Sequence, residues 1–371
     1  MSVAVTAPVG PVAAQAKVCR VLLCDDSVVI RSAIARILEG DPQIRIVGSV
    51  ANGQLALDMV RKHEIDVVVL DIEMPVMDGV TALPLILKAR PGVRVLMAST
   101  LTRRNAAISI KALTLGATDY IPKPDSTGML GADAFGQDLV AKIKAIGLRA
   151  RPGPAAPGAA SSASTAPPEL KLRPKPAEAP KVLVVGSSTG GPQALDVLLG
   201  QLGNSFSVPI LIVQHMPPTF TALLAESLTK ATGVPCTEAR DGEPALAGRA
   251  YIAPGDYHMT VEGRPEQARL RVYQGPPENF VRPAVDPLLR GAAEVYGRRT
   301  LAVILTGMGS DGCKGCEALV AAGGAVYAQD EATSVVWGMP GAVARTGLCS
   351  GILPITRLGN EMRSYVKARS T

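Results

Sequence analysis

Histidine is scarce in this chain: there are three in 371 residues, His63, His215 and His258. Any chemistry that needs an imidazole base must draw on one of them. Long apolar runs are missing altogether. None approaches the ~20 residues of a membrane-spanning helix, so a soluble chain with no membrane insertion is expected. The opening MSVAVTAPVGPVAAQAK lacks a basic n-region, and two prolines interrupt it. It reads as a disordered leader over residues 1–17 and not as a signal peptide. The six cysteines are scattered, so reduced thiols in a cytoplasmic protein are the expectation. Cys313 and Cys316 form a lone C-x-x-C, without the partners that a metal or redox role would require.

What is present points to globular domains. The apolar fraction is 47% and the charged fraction 19%, and the length suits two ordinary domains. The net charge of +6 has one source. Between Lys142 and Lys181 there are eight Lys/Arg and two Glu, a surplus of six that equals the whole excess. The charge is therefore a property of a linker region. A folded basic groove for nucleic acid is not expected.

The chain divides at RARPGPAAPGAASSASTAPPELKLRPKPAEAP, where Pro, Ala, Gly and Ser dominate and no apolar period survives. Such a segment cannot bury enough surface to offset its ordering, and residues 150–180 read as a flexible, partly extended linker. On each side, short apolar runs alternate with helix-period segments. RVLLCDD, IRIVGSV, DVVVLD, RVLMAS and DYIPKP are strand candidates before the linker; KVLVVG, VPILIV and TLAVILTG follow it. Leu195, Leu198, Leu199 and Leu202 recur at i, i+3, i+4 and i+7, an amphipathic helix. The fold class expected is α/β, with two doubly wound parallel-sheet domains. The first is flavodoxin-like over 18–149 and the second Rossmann-like over 181–371.

In a doubly wound sheet, chemistry gathers beyond the C-terminal strand ends. Asp25 and Asp26 end the first strand and Asp71 the third, neighbours in the order 2-1-3-4-5. Two like charges ~4 Å apart repel by roughly 4 kcal/mol at an effective dielectric near 20. The cluster therefore calls for a cation, and hard oxygen donors suit Mg²⁺. Ser99 and Lys123 end strands four and five and bring a hydroxyl and an ammonium to the same rim. With LLCDDS, VVVLDIEMPVMDG, VLMAS and YIPKP on these strands, Val18 to Arg149 resembles a response-regulator receiver domain. The resemblance implies that Asp71 accepts phosphate from a chemotaxis histidine kinase, with Mg²⁺ on Asp25, Asp26, Asp71 and the backbone carbonyl of Glu73. It further implies that Ser99 and Lys123 sense the phosphoryl oxygens, and that Tyr120 is the aromatic switch.

The stretch VVGSSTGG at Val184–Gly191 poses the second question. A phosphate cradle, a nucleophile on a tight turn and a plain loop all fit it. It is not G-x-G-x-x-G, no strand-end acid lies ~20 residues on, and no G-K-[ST] follows, so a nucleotide site is disfavoured. Gly186–Gly190 does fit G-x-S-x-G, with Ser187 and Ser188 competing. A serine needs a base. His215 follows VPILIV at a strand end; His258 has only a short Gly/Pro turn before it, and His63 reads as a surface residue in the first domain. The base needs an orienting acid. Asp311 lies in the Gly-rich loop after LAVILTG, and Asp286 and Asp256 are its rivals. Ser, His, Asp is not the Ser, Asp, His order of an α/β-hydrolase.

Across Lys181 to Ile355 these residues, with VQHMPPTFT, YIAPGDYHM, RPAVDPL, LTGMGSDG and YAQDEATSVVWGMP, resemble the catalytic domain of chemotaxis protein-glutamate methylesterases. The resemblance implies Ser188 as nucleophile, His215 as base, Asp311 as orienting acid and the Met308 backbone N–H in the oxyanion site. It also implies glutamine deamidation by the same site. The family more often has alanine where Ser187 stands. The expected function is a phosphorylation-activated esterase, needing no cofactor for hydrolysis, that acts as a monomer on methyl-accepting chemoreceptors. A non-catalytic receptor-binding adaptor is the alternative. A DNA-binding regulator is disfavoured by the lack of a basic face.

Overall fold

The computed structural model describes residues 18–100, 102–123, 132–148 and 170–367. The expected leader, and the expected linker up to residue 169, lie outside the described residues.

The first sheet is built from β1 (Cys19–Cys24), β2 (Ile44–Val50), β3 (Val67–Asp71), β4 (Arg94–Ser99) and β5 (Asp119–Pro122), in the order β2-β1-β3-β4-β5 with every pairing parallel. The central strand VVVLD is buried at every position, as a strand covered on both faces must be. Helices α1 (Val28–Glu39), α2 (Gly53–Lys62), α3 (Gly79–Ala89), α4 (Arg103–Thr114) and α5 (Ala132–Gly147) cover the two faces. Local chemistry starts the first four. Ser27, Asn52, Asp78 and Thr102 each accept from a backbone N–H three residues on, which satisfies an otherwise orphaned donor.

The second sheet has seven strands, ordered β14-β13-β12-β6-β7-β9-β8, again all parallel. In chain order these are β6 (Val182–Ser187), β7 (Ile210–Gln214), β8 (Cys236–Glu238), β9 (Ala250–Ile252), β12 (Thr300–Ile304), β13 (Ala325–Gln329) and β14 (Gly351–Leu353). An antiparallel hairpin, β10 (His258–Glu262) with β11 (Arg269–Tyr273), is inserted between β9 and β12. The helices are α6 (Gly191–Leu202), α7 (Phe220–Thr232), α8 (Val285–Tyr296), α9 (Cys313–Ala321), α10 (Met339–Arg345) and α11 (Ile355–Lys367). The expected leucine stripe lies on α6, and all four leucines are fully buried. Each contributes roughly 1.5–3 kcal/mol relative to exposure.

Residues 170–180 run along the second sheet's unit without regular structure. The Arg173 N–H donates to the Cys349 carbonyl at 2.8 Å, and the Tyr365 hydroxyl to the Pro176 carbonyl at 3.0 Å. This end of the linker is pinned.

The two units meet through α4, α6 and α7. One apolar cluster passes from the β3 side of the first sheet through Ile110 and Leu113 to Leu195, Phe220 and Leu224. The rings of Tyr120 and Phe220 stack with centroids 4.5 Å apart. The Gln193 amide donates to the carbonyls of Leu113 and Ala117. The first sheet's unit thus lies against the edge of the second sheet's C-terminal rim.

Candidate active site and phosphoacceptor site

Two rims carry the polar residues. On the first, β1 and β3 are adjacent, so Asp25, Asp26 and Asp71 converge, with carboxylate oxygens within 4.8 Å of one another. Asp25 and Asp71 are buried, and Asp26 is exposed. The Lys123 ammonium spans the buried pair, 2.6 Å from Asp25 and 2.7 Å from Asp71. Burial alone would lower this ammonium, but the two carboxylates outweigh it and hold Lys123 above the ordinary lysine value. Three carboxylates facing one point, one of them open to solvent, fit a hard divalent cation. Ser99, buried at the end of β4, accepts from the Ser109 hydroxyl at 2.9 Å. The Glu73 side chain lies away from the cluster, 3.8 Å from Arg104 and largely exposed. Tyr120 is buried against Phe220, not at the carboxylates.

On the second rim the chain runs from β6 to β7 on one side and returns through β12 on the other, so β6 and β12 flank the topological switch point. Ser188 follows β6, His215 follows β7 and Asp311 lies beyond β12. The turn after β6 is tight: Gly190 has φ +75° and α6 begins at Gly191. A Cβ on Gly191 would sit 1.9 Å from the Gln214 side-chain oxygen Oε1, and one on Gly307 would sit 2.9 Å from the Ser188 Cβ. Only glycine permits either approach. Strand, turn and helix together form the setting that a G-x-S-x-G serine requires.

The two serines differ sharply. Ser187 is fully buried and donates to the Gln214 side-chain oxygen at 2.7 Å. Ser188 is half-buried, and its hydroxyl has no protein partner among the described residues. His215 and Asp311 are joined, Nε2 to Oδ2, at 2.8 Å. With Nε2 engaged, Nδ1 is the nitrogen left to take a proton.

Asp311 is 2% exposed and receives more than the imidazole. The N–H groups of Val285 and Gly312 donate to it at 2.6 and 2.9 Å, that of Asp286 at 3.3 Å, and the Asn279 amide at 2.8 Å. Burial works to raise its carboxyl. The His215 contact and the backbone donors prevail and hold it below the usual carboxylate value. Asp286, a rival acid, lies one step behind: it is buried, accepts from the Gly315 N–H at 2.7 Å, and shares the Asn279 amide at 2.9 Å. Burial keeps its carboxyl above the usual value. Asp256, the other rival, is tied to Arg282. The Met308 backbone N–H has no acceptor among the described residues, and it lies in the Gly-rich loop facing Ser188.

Ser188, His215, Met308 and Asp311 line one cavity of about 750 Å³. Residues of the first unit complete its wall: Tyr120, Pro122, Gln137, Asp138 and Lys142. His258 is elsewhere, with Nδ1 accepting from the Ala284 N–H at 3.2 Å and Nε2 bonded to the Pro276 carbonyl at 3.0 Å. His63 caps the C-terminus of α2 at the surface. Cys313 and Cys316 are unpaired; burial pushes the Cys313 thiol up to about 11 and the Cys316 thiol well above its ordinary value. Neither is poised as a thiolate.

Two residues escaped the sequence reading. Gln214 holds Ser187 and the carbonyls of Ser188 and His215; its signal was an amide ending an otherwise apolar strand. Asn279 bridges the two buried aspartates, and only a turn-forming Glu-Asn beside two prolines hinted at it.

Comparison with known proteins settles the family. The family described as CheB methylesterase matches residues 183–362, and the response regulator receiver domain matches residues 21–132. A Rhodospirillum centenum protein named protein-glutamate methylesterase/protein-glutamine glutaminase of group 2 operon is 54% identical, covering 95% of each chain. The chain belongs to this family. An Azospirillum brasilense protein-glutamate methylesterase/protein-glutamine glutaminase is 51% identical over 93% of this chain and 92% of that one. The crystal structure of the Thermotoga maritima CheB methylesterase catalytic domain is 43% identical, with a TM-score of 0.49, over 50% of this chain and 98% of that chain. Among the described residues no helix is long and apolar enough to cross a membrane.

Proposed function

We propose that this chain is a phosphorylation-activated serine hydrolase that demethylates glutamate methyl esters, and deamidates particular glutamines, on methyl-accepting chemoreceptors. The observation that carries the reading is the joined His215–Asp311 pair sharing one cavity with an uncommitted Ser188 hydroxyl. Residues 18–149 are the receiver, 150–180 the linker and 181–371 the catalytic domain, with 1–17 a leader; the protein works as a cytoplasmic monomer.

In this reading Ser188 attacks the side-chain ester carbonyl while His215 takes its proton at Nδ1. Asp311, already ionised and fixed by four donors besides the imidazole, orients the ring and stabilises the imidazolium. The Met308 N–H, without an acceptor among the described residues, donates to the oxyanion. His215 then returns the proton to the departing methanol. Water, deprotonated by the same ring, releases free glutamate and restores Ser188. Glutamine differs only in losing ammonia in place of methanol.

Asp71 is the phosphate acceptor, fed by a chemotaxis histidine kinase. Asp25, Asp26, Asp71 and the Glu73 carbonyl would hold Mg²⁺, which when bound offsets the charge gathered there. Ser99 and Lys123 meet the phosphoryl oxygens. Regulation follows from the shared wall. Receiver residues narrow the cavity in front of Ser188, so the arrangement described is one that restricts a protein substrate. Phosphate on Asp71 shifts the population toward a more open arrangement, with Tyr120 and its Phe220 stack at the hinge of the change.

The test is methanol release from methyl-labelled receptor membranes, with and without a small-molecule phosphodonor. Release that rises with the donor is expected. No release under either condition would leave the receptor-binding adaptor as the surviving alternative.

A further inference from the structure

A short turn at the mouth of the catalytic cavity is held at every point except one. Glu278 and Val281 exchange both backbone hydrogen bonds, at 3.2 and 3.0 Å, leaving Asn279 and Phe280 as the two residues of a hairpin turn. Both have positive φ, +52° and +65°, as in the type I′ turn that favours Asn followed by Gly. Asn suits the first position. Phe, standing where glycine is wanted, does not: a bulky residue there is a genuine outlier.

The surroundings remove any slack. Glu278 is gripped by both arms of Arg290, at 3.0 and 2.6 Å. The Asn279 amide is fixed between Asp286 and Asp311. Arg282 is tied to Asp256, whose own N–H donates back to the Arg282 carbonyl. In the middle of this lattice the Phe280 ring is 102% exposed. It is the most exposed of the large apolar side chains in the described residues, and it lines the same cavity as Ser188 and His215.

Such a ring stabilises nothing within the folded chain. It buries no surface and sits on backbone that its own Cβ disfavours, so its use must lie in a partner. The receiver is not that partner in the arrangement described, because its wall across the cavity leaves the ring bare. The remaining occupant is the molecule that brings an ester to Ser188. This inference therefore rests on the function proposed above. A methylated glutamate has lost its charge, so the surface around it is more apolar than its free-acid product. A rigid exposed aromatic next to the nucleophile suits that difference, since aromatic anchors dominate the energetics of desolvated contacts and a preformed one loses little freedom on binding. We propose that Phe280 is a substrate-docking residue, which packs on apolar side chains flanking the esterified glutamate and so favours receptor over product.

The test uses the full-length protein with phosphodonor present and methyl-labelled receptor membranes as substrate. Initial rates of methanol release are measured against receptor concentration for wild type, Phe280→Gly and Phe280→Leu, and repeated without phosphodonor. Phe280→Gly should raise KM about tenfold to thirtyfold, with kcat within twofold, and Phe280→Leu should recover most of the loss. The thermal midpoint of Phe280→Gly should stay level or rise, because glycine relieves the turn; this separates docking from misfolding. An unchanged KM overturns the proposal. So does a fall in kcat alone, which would mean that the turn acts through Asn279 and Asp311. Higher activity without phosphodonor at unchanged KM also overturns it, by assigning the ring to the receiver. If wild type itself releases no methanol, the proposed function fails, and that outcome is distinct from all of these.

Discussion

The receiver rim and the catalytic rim solve one electrostatic problem in opposite ways. Each presents a buried aspartate on the C-terminal side of its parallel sheet: Asp71 ends β3, and Asp311 lies in the loop beyond β12. On the receiver rim, Asp71 is met by one buried ammonium, Lys123, shared with Asp25, and by a single backbone donor, the Ile72 N–H at 2.8 Å. Balance of that kind can be rearranged when charge is added. On the catalytic rim, Asp311 is balanced by fixed dipoles: three backbone N–H groups, the Asn279 amide and the His215 ring. In the function proposed, the acid that accepts a group is held mainly by an ion, and the one that only orients a neighbour mainly by neutral donors.

That contrast can be broken at several points. His215→Ala removes the only imidazole on the catalytic rim and should lower methanol release by on the order of 10⁶, as in a comparable hydrolase; a loss under a hundredfold would place the base elsewhere. Asp311→Asn keeps the shape but disturbs the ring's tautomer, and should cost about 10⁴ in kcat. Asp71→Asn on the other rim should leave basal turnover alone and abolish the response to phosphodonor, a coupling of about 5- to 150-fold. An equal response in wild type and variant would sever the two rims.

Gln193→Ala removes the amide that donates to Leu113 and Ala117 of the receiver. A hydrogen bond of this kind is worth ~0.5–1.5 kcal/mol, so basal activity should rise about twofold to tenfold while the phosphorylated rate stays put. Unchanged basal activity would show that this contact does not restrain the receiver. The smallest effect concerns pH. The folded carboxyl of Asp311 sits below its ordinary value of 3.8. Its ionisation therefore stabilises the fold fully above the unfolded value and ceases to do so as pH falls through the folded one. Asp311→Asn should flatten the thermal midpoint against pH below about pH 4, and an unaltered acid limb would contradict the sign.

Much of this was legible in the chain itself. Strands such as VVVLD and TLAVI announce themselves because both faces are covered, and the α6 leucine stripe because one face is. Polar residues placed after such strands then mark the rims, which is why Asp71, His215, Asp311 and the Ser187–Ser188 pair could be set there from spacing, while the family resemblance chose among them. What spacing could not show was contact at a distance in sequence. On spacing alone Asp286 and Asp256 rivalled Asp311 as orienting acids; in the fold Asp256 is tied to Arg282 and Asp286 is set behind Asn279. The choice between Ser187 and Ser188 turns on alternation along β6. Gln214 on the neighbouring strand takes the inward hydroxyl and leaves the next one at the turn. The strain at Phe280 was equally hidden, since Glu-Asn-Phe-Val resembles many loops until its φ angles are known.

The central claim is that Ser188, and not its neighbour, reacts. The most direct measurement compares methanol release from methyl-labelled receptor membranes by wild type, Ser188→Ala and Ser187→Ala, all with phosphodonor. The account predicts no detectable release by Ser188→Ala, and release within a fewfold of wild type by Ser187→Ala. Loss of release in Ser187→Ala with retention in Ser188→Ala would contradict it.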